Sequence, residues 1–214
     1  MTSRIQLEPE AQAFAEVEAL PPVLFTLGIE KGRAALEEAQ AGQVSTLPVD
    51  MEELSIADGP SEQVALRILR PEHAQAPLPV IVYIHGAGWV FGSPQTHDRL
   101  VRELAVGAGA AVVFPVYRLS PEASYPTALE ECYMVARWVA QKGPEHGMDP
   151  TRLAVSGDGV GGNMATVLTL LYRERGGGDP LFGCSCCSTR SLMRPSTRSP
   201  TTSSPRATTC GAMP

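Results

Sequence analysis

Apolar residues along the chain follow two rhythms. Over residues 8–41 they recur at helical spacing, with Ala11, Phe14, Val17 and Leu20 after the acidic, proline-containing start Glu8-Pro9-Glu10. Pro21-Pro22 breaks this stretch, and the pattern predicts a second helix over 22–40. Residues 42–50 read as a linker. Residues 51–57 and 63–69 then alternate apolar and polar positions around Asp58-Gly59-Pro60, which predicts a hairpin-like antiparallel pair. Three later runs, at 79–84, 110–116 and 152–156, are continuously apolar and rich in β-formers, as strands buried on both faces are. Helical periodicity occupies 96–108, 125–142 and 160–174. Strands alternating with helices predict a mostly parallel central sheet with right-handed crossovers and helices on both faces, an α/β fold. The helical stretch before it is an appendage.

Composition narrows the function classes. A chain of 214 residues is a prior for one domain. Its 43% hydrophobic content excludes a wholly disordered or fibrous protein. A net charge of -6 argues against nucleic acid or an anionic membrane as partner. No apolar run approaches the roughly 20 residues of a membrane span, and the start lacks the apolar core of a secretory signal. The expected compartment is cytoplasmic. Nothing in the sequence fixes the oligomeric state.

Three loops carry candidate chemistry, and each follows a predicted strand. His85-Gly86-Ala87-Gly88-Trp89 places small residues where a backbone can turn sharply and present N–H groups to an anion. Tyr117-Arg118-Leu119-Ser120-Pro121-Glu122 reads as a rigid loop, with Arg118 and Glu122 as a possible internal ion pair. Gly157-Asp158-Gly159-Val160-Gly161-Gly162-Asn163 lies between a strand and a helix, the setting of a nucleophile elbow, G-x-S-x-G. Gly157 and Gly161 hold its outer positions and Gly159 its centre. The same run superficially matches a dinucleotide fingerprint, but that motif opens the first βα unit and is followed by an acid about 20 residues later. Here it comes late, so dinucleotide binding is disfavoured.

Together these motifs resemble the hormone-sensitive-lipase-like family of α/β-hydrolases, of the bacterial acetyl hydrolase and carboxylesterase type. The H-G-G-G box stands as His85-Gly86-Ala87-Gly88, and the Y-R-L-A-P-E box as residues 117–122 with Ser120 for Ala. The G-D-S-A-G-G-N elbow stands as residues 157–163, with Gly159 for Ser and Val160 for Ala. The resemblance covers roughly residues 5–182. It implies an α/β-hydrolase fold, present in part, with residues 1–45 as a helical cap segment and 46–182 as the N-terminal part of the hydrolase domain. It implies hydrolysis of short-chain carboxylic esters by a Ser-His-Asp triad, without metal or cofactor. Carried over by position, the oxyanion donors are the N–H groups of Gly86, Ala87 and Val160. A non-catalytic small-molecule binder on the same scaffold is the alternative.

The chain departs from the family where the chemistry sits. Gly159 has no hydroxyl, and Ser156, inside the preceding strand, cannot replace it. The family order is nucleophile, acid, His. Beyond position 159 the acids are Glu174 and Asp179, and no His follows. Upstream, His85 reads as a hydrogen-bonding member of its loop, and His73, His97 and His146 as surface loop residues. The expectation is an inactive chain.

Residues 183–214 have another composition. Seven Ser, six Thr and four Pro leave little apolar material, which reads as a disordered tail. Cys184, Cys186 and Cys187 lack the second spaced pair or His that a zinc site needs, with only Cys210 remaining. The tail also reads as translation out of frame. Codons permitted for residues 184–196 encode VQLLFYPVTDASF when shifted by one base, a buried strand followed by Tyr-Pro. A sheet that stopped there would expose a buried-type strand edge and favour aggregation.

Overall fold

The computed structural model describes residues 7–18, 24–42, 46–57, 63–175 and 184–187. Its centre is a six-stranded mixed sheet. The strands are β1 (Val49–Ile56), β2 (Val64–Pro71), β3 (Leu78–Ile84), β4 (Ala111–Val116), β5 (Met148–Gly157) and β6 (Cys184–Cys187), in spatial order β1-β2-β4-β3-β5-β6. β1 and β2 form the expected antiparallel pair, with Val49 opposite Pro71 and Ile56 opposite Val64. β2 runs antiparallel to β4, while β3 runs parallel to both β4 and β5. The hairpin turn around Asp58-Gly59-Pro60 lies outside the described residues.

The apolar runs form strands because both faces of the sheet are covered. Val80, Val82 and Ile84 of β3 join Ala111, Val113, Leu153 and Val155 in one cluster. α4 (Thr127–Lys142) and α5 (Val160–Glu174) close that face through Cys132, Val135, Val139, Met164 and Leu168. The residues between them in sequence, Tyr83, Val112 and Phe114, face the opposite way and pack on Val101 and Ala105 of α3 (Asp98–Ala108). This period-two division is why the runs show no polar face.

Two expectations change. The second N-terminal helix begins later than the pattern suggests. After α1 (Pro9–Glu18) comes a single 3-10 turn, Leu24–Thr26, and α2 spans Ile29–Gln40. Gly28, at φ 78°, precedes α2 in the left-handed region, so the helix cannot extend back toward Pro22. At the other end, residues 184–187 are not a disordered segment. They form β6, parallel to β5, with Ala154 opposite Cys184 and Gly157 opposite Cys187. Strand pairing is a backbone interaction, and β5 offers an unfilled row of N–H and C=O groups that any extended segment can take. β5 is therefore not the edge of the sheet. The rest of the tail lies outside the described residues.

Candidate active site

The site sits where β3, β4 and β5 end. The turn from β5 into α5 is tight. Gly159 adopts φ 50° and ψ -116°, a conformation that costs an L side chain strain. A Cβ built at Gly159 meets no atom within 4 Å, so the tip of the turn faces open space. Its flanks are closed. A Cβ at Gly157 or at Gly161 would collide with the carbonyl oxygen of Ile84. α5 is pinned at its start by Gly161 N–H donating to Asp158 O at 2.7 Å, and by Asn163 N–H donating to Gly159 O at 3.1 Å. Gly162 is buried within the first turn of α5, and Asn163 faces the adjoining cavity.

The glycine-rich loop after β3 packs directly on this turn. A Cβ at Gly86 would strike the carboxylate of Asp158. Residues 87, 88 and 89 are three successive left-handed residues, at φ 67°, 70° and 61°. Two of them, Ala87 and Trp89, carry side chains, and each such residue costs about 1–2 kcal/mol.

The structure redistributes the oxyanion candidates. Gly86 N–H is already committed, donating to Asp158 Oδ1 at 2.9 Å, so Gly86 anchors the loop instead of facing a ligand. Among the described residues, no acceptor takes the N–H of Ala87, Gly88 or Val160. Val160 opens α5, where N–H groups have no intrahelical acceptor.

Asp158 is the hub of the anchoring. Besides Gly86 it accepts a bond from Tyr83 Oη at 2.8 Å, and His97 Nε2 lies 3.6 Å away. Burial pushes its carboxyl upward, but the contacts from His97, Tyr83 and Gly86 N–H outweigh this and hold it below the usual range. Burial and the adjacent carboxylate push the Tyr83 phenol up. His97 is not a surface loop residue. Its side chain is 13% exposed, with Thr96 Oγ1 2.8 Å from Nδ1. His146 is likewise engaged, 3.0 Å from Glu52 and beside the Trp138 ring.

His85 is walled in. It stacks on Tyr117 at 4.3 Å between centroids and on Phe114 at 5.4 Å. Its Nδ1 lies 3.1 Å from Gly86 O, and Tyr117 Oη donates to His85 O at 2.8 Å. Burial, aided by neighbouring His97, pushes its imidazole down to about 4. Burial also pushes the Tyr117 phenol up.

The internal pair expected within residues 117–122 does not form. Arg118 turns to α4, its N–H and Nε reaching buried Glu131 at 2.8 and 2.6 Å. Glu122 is taken by Arg33 of α2, at 2.8 Å from each of two guanidinium nitrogens. Composition and spacing gave no sign of Arg33, Tyr83 or Glu131 as site-building residues, because their partners are distant in sequence.

Between these loops and α5 lies a cavity of about 590 Å³, lined mainly by apolar groups of Trp89, Val90, Leu129, Met164 and Val167, with exposed Tyr125 at its rim. A glycine-rich loop, a tight strand-to-helix turn and an apolar cavity thus lie together at the carboxyl ends of parallel strands.

Comparison with known proteins agrees with this geometry. The family described as alpha/beta hydrolase fold matches residues 81–212. The chain belongs to the α/β-hydrolases, in their hormone-sensitive-lipase-like branch. Carboxylesterase NlhH of Mycobacterium tuberculosis is 38% identical over 163 residues, covering 75% of this chain and 51% of that protein. Esterase LipI of the same species is 40% identical over 172 residues, covering 78% and 53%. The crystal structure of a thermostable esterase from Pseudomonas putida ECU1011 superposes with a TM-score of 0.76 at 39% identity, covering 82% of this chain and 56% of that one. The chain thus spans about half the length of these esterases. No described helix is long and apolar enough to cross a membrane.

Proposed function

We propose that this chain carries the ester-hydrolysis scaffold of its family with the reactive side chain missing. The turn at Gly159 carries this reading. It has the strained backbone and open space that a nucleophile elbow provides, and it presents no hydroxyl. In the family reaction Ser attacks the ester carbonyl, His removes its proton, and backbone N–H groups hold the oxyanion. Here Ala87, Gly88 and Val160 are the donors suited to that oxyanion, and the apolar cavity suits the acyl part of a short-chain carboxylic ester. Without Oγ at position 159 no acyl-enzyme forms.

The purified chain is expected to turn over p-nitrophenyl acetate no faster than its heat-killed control. Turnover clearly above that control would overturn the reading. The cavity favours a second reading, a small-molecule binder that does not hydrolyse its ligand. Short-chain esters or their acids would then raise the melting temperature with saturation, as mass action requires. Residues 183–214 remain proposed as out-of-frame translation, which the coding DNA over that stretch decides.

A further inference from the structure

We infer that Arg33 is a positioning residue, through which docking of α2 sets the shape of the oxyanion loop and of the cavity wall. Its guanidinium makes four hydrogen bonds to two separate loops. Nε donates to Val90 O at 2.8 Å, one terminal nitrogen to Glu122 Oε1 at 2.8 Å, and the other to Ser120 O at 3.0 Å and Glu122 Oε2 at 2.8 Å. Val90 and Ser120 both line the cavity, whereas no residue of α2 does. The helix therefore reaches the cavity wall through Arg33 and not through residues that line it. The two braced loops also bond each other, Ser120 N–H donating to Trp89 O at 2.8 Å.

A second contact joins the same partners. A Cβ at Gly32 would lie 2.6 Å from Phe91 Cε1, so α2 packs its bare backbone against the Phe91 ring. The brace has a physical task. Residues 87–89 are held in a left-handed run that two of their side chains resist, and the surrounding structure must over-determine such a run. A planar guanidinium gripping a carboxylate and two carbonyls does so with fixed geometry, which a lysine cannot reproduce.

This assignment rests on reading 86–89 as the oxyanion loop, but its test needs no substrate. Two backbone amides report the braced state: Phe91 N–H, bonded to Ala87 O at 3.1 Å, and Ser120 N–H, bonded to Trp89 O. Hydrogen exchange is followed in the full chain, with the amides of the β3–β4 ladder as reference. In Arg33→Ala, exchange at Phe91 and Ser120 is expected to rise about tenfold or more while the ladder changes little. Arg33→Lys, which keeps the charge but not the fork, should fall between wild type and Arg33→Ala. Gly32→Ala, which forces the Phe91 ring or α2 to shift while keeping the Arg33 guanidinium, should raise exchange at Phe91 and Ser120 by less than Arg33→Ala does. Unchanged exchange at Phe91 and Ser120, or an equal rise along the ladder, would overturn the assignment. Failure of the functional reading shows elsewhere, as turnover of p-nitrophenyl acetate by the wild-type chain.

Discussion

The loop at 85–92 and the elbow at 157–161 lie against each other, yet they are built in opposite ways. The loop is fixed at several points. His85 is stacked between aromatic rings, Gly86 is tied to Asp158, and Val90 is held by Arg33. The elbow is closed to side chains only along its flanks. Gly157 and Gly161 leave no room for a side chain beside Ile84, while Gly159 between them touches nothing a side chain would meet. Shape and reactivity are thus separable in this architecture. The packing that makes the site leaves the tip of the turn open, so a substitution at the tip is expected to leave the fold in place. A substitution in the flanks is expected to disrupt it.

The sharpest way to break this comparison is to add the same methyl group at two positions two residues apart. Gly161→Ala drives a Cβ into the Ile84 carbonyl, where the clash is with backbone and cannot be relieved by a rotamer change. The expected cost is more than about 4 kcal/mol, or loss of folded protein altogether. Gly159→Ala meets open space and bears only the strain of its positive φ, about 1–2 kcal/mol. Denaturant unfolding of both variants decides it. Equal losses would mean that the tip is as tightly supported as the flanks.

Acid tests the loop side. The buried imidazole of His85 is pushed from its ordinary 6.5 down to about 4. The unfolded chain therefore binds the proton first, and stability falls as pH drops through this window, levelling off below it. The full effect is about 3 kcal/mol. Asp158, held low, adds to acid loss only below the ordinary Asp range. A stability profile from pH 7 to 4 should show the slope in the wild type and a flatter one in His85→Gln. An identical slope in both would mean that the loop does not hold His85 neutral.

How much of this was legible in the sequence divides along the same line. The sheet was readable because both its faces are buried, which leaves uninterrupted apolar runs. α5 begins and ends where its periodicity does, at Val160 and Glu174. The positions of the two glycine-rich turns were also readable, since glycines between a strand and a helix have few other uses. The supports were not. Arg33 reaches Val90 and Glu122 across 57 and 89 positions, and one arginine on an exposed helix gives no local signal. Arg118 and Glu122 are close enough in sequence to pair, but their loop sends them to different helices, α4 and α2. His97 looked like a surface residue because only the folded chain brings Asp158 beside it. β6 was not legible because the Ser, Thr and Pro of the surrounding segment suggest disorder, while parallel pairing asks only for an extended backbone.

The gentlest probe reverses the one place where the loop departs from its family's glycine box. Ala87 sits at φ 67°, where a methyl group is strained and glycine is not. Ala87 is only partly buried, so its methyl adds limited packing of its own. Ala87→Gly removes strain from the folded state but also frees the unfolded chain, which offsets part of the gain. The net expectation is stabilisation of a few tenths to about 1 kcal/mol, read as a rise in the denaturant midpoint at unchanged slope. The same substitution in Arg33→Ala should stabilise by less. A loop released from its brace is free to leave the left-handed run, and the strain that glycine relieves is then no longer imposed. Equal stabilisation in both backgrounds would show that the loop holds its own shape and that α2 adds nothing to it.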